Sequence, residues 1–420
     1  MNKPVFAISS PFDTYSGYGA RARDIIKAII SLDKYDVKLL SQRWGNCSME
    51  FCNDNPEWNY LLKYKVDGKL TTQPEIWSQI TIPNEFNPIG KYNIGITAGI
   101  EATICRAEWI QGVNKMDTTW VSSTHSKKVF ENSNFNQNDK QGNKVGEIKL
   151  EKPIEVVFEG ANLDVYKPLK QSEITNINLD EIKESFCYLF VGHWMQGEFG
   201  HDRKNVSLLV KAFYETFKNK SGPKPALILK ASTGVASYTS RNDLLDRIKQ
   251  IRSTVNSSNL PNIYLLNGEF SDGEMNELYN HSKVKSMISL TKGEGFGRPL
   301  LEFSLTGKPI IATNWSGHTD FLKPNLSVML GGQLESIHPS AVNEWLIKES
   351  TWFKVNDGEV GRSLKEVYKK YKKYIPQSKQ QKNFSKSNFS FQKMVELIDT
   401  LTNTIPDFPK QTQLTLPKLQ

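Results

Sequence analysis

The stretch Ser286-Met-Ile-Ser-Leu-Thr-Lys-Gly-Glu-Gly-Phe-Gly-Arg-Pro-Leu-Leu-Glu302 decides how this chain is read. Its first part, Ser286–Leu290, has the length and composition of a buried strand. Gly293, Gly295 and Gly297 follow in a loop where a backbone free of Cβ atoms can come close to a ligand. Pro299 stands near the first position of a helix, where its missing N–H is harmless. The start of that helix offers free N–H groups and a positive dipole end to an anion. Glu294 lies in the loop and Glu302 in the first turns of the helix, and both can accept hydrogen bonds from sugar or ribose hydroxyls. A return strand, Pro309–Thr313, completes a strand–loop–helix–strand unit that places a ligand at the carboxyl ends of its strands.

The same alternation runs outward in both directions and predicts an α/β fold with parallel sheets. In the first half, strands are expected at Val5–Ser9, Asp36–Leu40, Asn93–Thr97, Thr119–Ser122 and Ile154–Phe158. Helices are expected at Ala20–Leu32 and Ser123–Glu131, and Asn134–Gly146, rich in Asn, Gln and Gly, reads as a surface loop. A polar stretch, 166–184, reads as an interdomain linker. The pattern then restarts with strands at Cys187–Val191, Ala226–Lys230 and Ile263–Leu266, ahead of the two already described. Helices are expected at Val206–Phe217, Asp243–Ser253, Glu274–His281 and Arg298–Thr306. The expected organisation is two doubly wound, Rossmann-like domains, 1–165 and 185–387, facing each other across a deep cleft where ligands bind. Residues 405–420, with three prolines and no apolar period, read as a loose tail.

The spacing Glu294-Gly-Phe-Gly…Glu302 resembles the E-x7-E signature of GT4-type retaining glycosyltransferases, the glycosyl transferases group 1, which have the GT-B fold. The resemblance implies that Glu294, with the backbone of Gly295, Phe296 and Gly297, holds a donor sugar while Glu302 binds the ribose of its nucleotide. It covers the chain from about Pro4 to Leu397, densely in the second half and more loosely in the first. Lys204, just before a helix, matches the family lysine that neutralises the donor diphosphate. The family arginine usually sits nearer Gly192, where this chain has His193, and Arg203 is the candidate substitute. Gly17 and Gly19, after the first strand, resemble the N-terminal glycine loop that approaches the donor from across the cleft. Glu101 resembles a cleft-facing glutamate of one subgroup and is the candidate contact for the acceptor or the donor sugar. The catalytic candidates are therefore Glu294, Lys204 and Glu101. Asp117 and Trp120 read as capping and packing residues, and His125 is a weaker site candidate. Glu159-Gly-Ala-Asn and Trp315-Ser-Gly-His-Thr-Asp320 resemble the hinge and the turn after the return strand. Phe389–Ile398 resembles the C-terminal helices that pack back across the first domain, so a helix at about 388–404 is expected to complete it.

The implied reaction moves a sugar from a nucleoside-diphosphate sugar to an acceptor hydroxyl with retention of configuration. No cofactor is expected. No Asp-x-Asp occurs, so the carboxylate pair of metal-dependent glycosyltransferases is missing and no metal site is expected. A sugar-nucleotide epimerase or hydrolase on the same fold, or a catalytically weak sugar- or nucleic-acid-binding protein, are the alternatives. The net charge is +8, and Lys365–Lys386 holds eight lysines against Glu366 alone. If the helices follow the path the resemblance implies, that stripe lies near the cleft rim, which makes DNA carrying a hydroxymethylated base an acceptor beside the glycans. The chain has 38% hydrophobic and 23% charged residues, no apolar run of membrane-spanning length and no signal-peptide pattern at its start. A cytoplasmic location is the default. Cys47, Cys52, Cys105 and Cys187 are scattered, with no C-x-x-C pair, and are expected to be reduced. Oligomeric state is not legible.

Overall fold

The computed structural model describes residues 3–139 and 141–408. The first half runs β1 (Val5–Ser10), α1 (Gly17–Ser31), β2 (Asp36–Ser41), α2 (Phe51–Asp54), β3 (Ile76–Ile80), β4 (Tyr92–Thr97), α3 (Ala107–Val113), β5 (Thr118–Val121), α4 (Thr124–Asn132), β6 (Phe135–Asn138), β7 (Lys144–Ile148) and β8 (Ile154–Val156). Its main sheet is parallel, in the order β2-β1-β3-β4-β5-β8. The strand β3, between β1 and β4, is an addition to the expected set: Ser78 and Gln79 interrupt its apolar run. All five residues are nevertheless buried, because in a parallel sheet both faces are covered. The expected loop at 134–146 is instead an antiparallel hairpin of β6 and β7, with Phe135 opposite Ile148. Its Asn- and Gly-rich part is only the turn, where Asp139 accepts hydrogen bonds from the backbone of Gln141 and Asn143.

The second half runs β9 (Cys187–His193), α5 (Val206–Phe217), β10 (Ala226–Ser232), α6 (Tyr238–Ser253), β11 (Ile263–Leu266), α7 (Asp272–Asn280), β12 (Val284–Ser289), α8 (Arg298–Ser304), β13 (Ile310–Thr313) and β14 (Val328–Leu330). These strands form a parallel sheet in the order β11-β10-β9-β12-β13-β14, the doubly wound order of dinucleotide-binding domains. Three helices start earlier than expected, and serines explain it. The side chains of Ser16, Ser237 and Ser271 cap α1, α6 and α7, the last with Glu274 in a capping box.

Beyond the second sheet lie the hairpin β15 (Gly332–Ser336) and β16 (Thr351–Val355), then α9 (Asp357–Lys369), α10 (Tyr371–Asn388) and α11 (Phe391–Thr402). Return to the first half happens where Ala161 N–H donates to Phe389 O (2.9 Å) and Phe391 N–H to Ala161 O (2.8 Å). Past that point α11 lies on α1, and Met394, Val395 and Ile398 share a buried cluster with Ile25, Ile26 and Ile29. The segment expected as a linker is not a free tether. Its Tyr166, Leu179 and Ile182 are buried against Leu278 and Tyr279, and the Glu277 carboxylate accepts from the N–H groups of Thr175, Asn176 and Ile177. Of the expected tail, residues 409–420 lie outside the described residues, while Ile405 and Phe408 pack against the core of the first half.

The lysine stripe is not gathered at the cleft rim. Its first lysines, Lys365 and Lys369 on α9, stand with Lys218 and Lys220 in the connection that leads into β10, at the amino end of the second sheet. The packing of α9 on α5 and the bond from Tyr368 Oη to Pro223 O (2.8 Å) fix that position. No helix among the described residues is long and apolar enough to cross a membrane. The four cysteines are unpaired, and burial pushes the thiols of Cys52, Cys105 and Cys187 up to about 12.

Candidate active site

The loop after β12 is held from three sides. Gly297 caps α8 in the left-handed region (φ 96°), where glycine is favoured. Gly293 packs directly on the backbone carbonyl of Glu101, from the other half of the chain, so a Cβ there would collide with it. The hydroxyl of Ser122, just past β5, donates to Gly295 O (3.1 Å). The loop thus touches the carboxyl ends of both sheets.

Four charged groups meet at that point. Lys204 Nζ donates to both carboxylate oxygens of Glu294, at 2.5 and 2.6 Å. Arg203 reaches Gly293 O (3.1 Å) and Glu101 Oε1 (3.0 Å), and its guanidinium lies 3.9 Å from Glu294. Burial alone would raise the Glu294 carboxyl, but Lys204 and Arg203 more than offset it and hold it below the usual range. Burial also lowers the Lys204 ammonium, against the pull of Glu294. Asp202, which carries no signal in the sequence, shapes the approach: its buried carboxylate accepts from Val206 N–H (2.8 Å) and Ser207 Oγ–H (2.7 Å) at the start of α5.

His193 lies at the exposed end of β9, where its Nδ1 meets Ser232 Oγ at 2.8 Å, and desolvation, with Lys204 and Arg203 nearby, lowers the imidazole's pKa. The cation beside Lys204 is Arg203.

A second charged group forms on α8. Arg298 Nε donates to Glu302 Oε1 (2.9 Å), its Nη1 to Asp24 Oδ2 on α1 (2.5 Å), and Tyr279 Oη–H to Glu302 Oε2 (3.1 Å). Burial pushes the Glu302 carboxyl up to about 7 despite Arg298. Neither Arg298 nor Asp24 is among the residues expected from sequence, although Arg298 lies inside the decisive stretch. Both line an interdomain cavity of about 250 Å³, walled also by Tyr15, Phe51, Trp58 and Phe270.

The hairpin β15–β16 and its 337–350 connection form a strap across the two halves. Thr103 N–H donates to Thr351 O (2.9 Å) and Arg106 Nη1 to Glu344 O (2.8 Å). Ile337, Ala341, Leu346 and Trp352 share one buried cluster with Ile100, Cys105 and Trp109, and Trp345 packs on the Trp109 ring. The same strap holds the site loops: Lys292 pairs with Glu335 (2.6 Å), Glu198 N–H donates to Ser340 Oγ (3.0 Å), and the rings of His201 and His338 stack at 4.0 Å.

No protein-family model and no curated protein sequence matches this chain. Solved structures do. HepE of Anabaena, solved with UDP and glucose, is 12% identical and superposes with a TM-score of 0.60 over 95% of this chain and 100% of its own. Sucrose-phosphate synthase of Thermosynechococcus elongatus is 11% identical, with a TM-score of 0.61 over 96% and 99%. A glycosyltransferase from Rickettsia africae is 14% identical, with a TM-score of 0.57 over 96% and 99%. The fold is GT-B.

Within the GT-B cleft, the structure brings Glu101, Arg203, Lys204 and Glu294 together, with Gly295, Phe296 and Gly297 beside them. Glu302 lies one helical turn further along α8 from Arg298. Gly17 opens α1 with open space around it, whereas Gly19 is packed against Thr14 and Pro11, so its missing side chain serves its own turn. Asp117 accepts from Asn93 N–H (2.8 Å) and Trp120 is buried in the core of the first half. His125 lies edge-on to Trp315 in the interface between the halves, pushed down to about 4 by burial. His318 bonds Thr313 O through Nε2 (2.6 Å), and Asp320 accepts from Thr124 N–H across the interface (2.8 Å). Among the described residues, no group of three or more His, Cys, Asp or Glu side chains is placed to hold a metal ion.

Proposed function

We propose that this chain is a glycosyltransferase that moves a sugar from a nucleoside-diphosphate sugar to an acceptor hydroxyl, with retention of configuration and without a metal ion. The observation that carries the reading is the Lys204–Glu294–Arg203–Glu101 cluster on a glycine loop at the carboxyl ends of both sheets. The GT-B neighbours support it: HepE of Anabaena was also solved with UDP-glucose, and another is a sucrose-phosphate synthase. A fold alone hosts many activities, so the argument rests on the site.

In this reading Lys204 and Arg203 face the diphosphate. When the bond from the anomeric carbon to the diphosphate oxygen breaks, negative charge grows on the leaving group, and fixed cations are worth most at that moment. Lys204 would exchange part of its bond to Glu294 for the phosphate oxygens, freeing Glu294 for the sugar hydroxyls. The acceptor oxygen bonds to the anomeric carbon on the face the leaving group vacates, and its proton passes to a diphosphate oxygen. Glu302, reached from Tyr279 and Arg298, takes the ribose hydroxyls.

For the acceptor we propose a glycan hydroxyl rather than a base in DNA. Tyr18 stacks on Trp44 at 4.2 Å, and its hydroxyl meets Thr97 Oγ1 and Ala98 N–H beside Glu101, a surface suited to the apolar face of a sugar ring. Of the lysines that would favour DNA at the rim, Lys365 and Lys369 stand instead at the amino end of the second sheet. Nucleotide sugars should be screened for thermal stabilisation of the protein, and the best donor offered glycan acceptors. Donor turnover at the same rate with and without acceptor would replace the transferase reading by an epimerase or hydrolase.

A further inference from the structure

A cavity of about 280 Å³ opens on the outer face of the second domain, far round from the site loops. It is lined by Thr216, Phe217, Lys218, Lys220, Lys365, Tyr368 and Lys369. Four of these seven are lysines and none is acidic. Of the four, Lys218 is paired, with Glu215 (2.6 Å), and Lys220 donates to the carbonyls of Ser221 and Pro223. Lys365 and Lys369 make no ion pair among the described residues. The stripe continues past α9: Lys370 pairs with Glu366 (3.3 Å), while Lys372 and Lys373 are exposed. Glu215 and Glu366 are thus the acids that face this surface.

Two aromatic rings are set among the cations, Tyr368 with Lys220 Nζ 5.5 Å from its centre and Tyr371 with Lys285 Nζ at 6.0 Å. Both α5 and α9 also end here, and their carboxyl termini call for some positive charge. Dipole compensation accounts for a residue or two at each helix end, but not for the run from Lys365 to Lys373, which extends through the junction into α10.

We infer that this lysine-lined cavity is a docking site for the phosphate backbone of a nucleic acid, separate from the cleft and independent of the sugar-transfer reading. Concavity and an excess of cations are what the phosphates of a duplex need from a protein surface. A membrane surface would call for exposed apolar side chains beside the cations. The large exposed apolar residues among those described, such as Val145, Phe199, Val235 and Tyr238, lie on other elements.

The test is binding of a labelled DNA duplex of mixed sequence, followed by anisotropy across a salt series, for the full chain and for K220Q/K365Q/K369Q. The wild type should bind with an affinity that falls steeply with salt. The triple variant should bind at least tenfold more weakly, with the log–log salt slope reduced by about 2–3, near one for each phosphate no longer neutralised. It should melt as the wild type does. Three results would overturn the inference: no binding of the duplex, equal affinity and slope in the variant, or wild-type protein that sediments with phosphatidylserine vesicles while ignoring the duplex. A variant that melts lower yet binds DNA unchanged would show that the lysines only balance the helix ends.

Discussion

Arg203 of the second domain meets Glu101 of the first at 3.0 Å, and the same guanidinium lies 3.9 Å from Glu294 on the glycine loop. One side chain therefore connects the first domain, the loop before α5 and the Glu294 carboxylate. Arg203→Gln and Glu101→Gln should each lower kcat/KM, and the double variant should lose less than the sum. A coupling of roughly 0.5–3 kcal/mol in kcat/KM is expected for groups in contact. His193→Ala should leave the diphosphate affinity near the wild-type value, because Lys204 and Arg203 nearby disfavour a charge on that imidazole. Strict additivity of the first pair would remove Arg203 from the site.

Lys204→Met should cut turnover by about two orders of magnitude or more, the scale of one lost charge-stabilising donor. It should also destabilise the fold, since Glu294 is left buried with only the more distant Arg203. Adding Glu294→Gln should restore the melting temperature but not the turnover. Stability and turnover recovering together would mean that the pair serves the fold alone.

Glu302→Gln should weaken binding of the free nucleoside diphosphate by roughly 1–3 kcal/mol, the cost of a lost hydrogen bond to a charged group. Glu294→Gln should spare that binding and damage transfer. Calorimetry with both variants decides it, and the reverse pattern would exchange the two roles.

Stability should fall as the pH drops from about 6.5 towards 4. His125, enclosed against Trp315 in the interface between the halves, has its folded value pushed down to about 4 from an ordinary 6.5. Between those limits the unfolded chain binds a proton that the folded chain refuses, so the folded state loses ground as pH falls. Urea midpoints at pH 7 and pH 5 should differ by roughly 1–2 kcal/mol of stability more in the wild type than in His125→Gln. An equal difference in both proteins would show that this histidine titrates normally.

Transfer should survive EDTA, as expected of a site whose neutralising charges are Lys204 and Arg203. Loss of activity on chelation, restored by Mn²⁺ or Mg²⁺, would contradict a metal-free reaction.

How much is legible follows from where the signal is local. Five of the second sheet's six strands can be read from sequence, because each is a short apolar run followed by turn residues, and Glu294 and Glu302 stand in one stretch with their glycines; β14, only three residues long, escapes. In the first sheet β3 is hidden, since Ser78 and Gln79 break its apolar run although both are buried, Gln79 with its amide bonded to Glu85 O and Asn87 N–H. Helix starts shift where a serine cap several residues upstream sets the boundary. Arg298 gains its meaning from Asp24, 274 residues away, and Asp202 from the N–H groups it caps. Pairings of that kind leave no period in a sequence. The lysine stripe is visible as charge, but its position depends on how α9 lies on α5.

The strap has a mechanical consequence. A rigid-body swing that widened the cleft would have to part Trp345 from Trp109 and pull Trp352 and Leu346 out of a shared apolar cluster. The same movement would drag on Lys292 and Glu198, and through them on the loops that bear Lys204 and Glu294. On the glycosyltransferase reading proposed above, releasing a spent nucleotide and unclasping the two domains would be one event, held back by the tryptophan clasp.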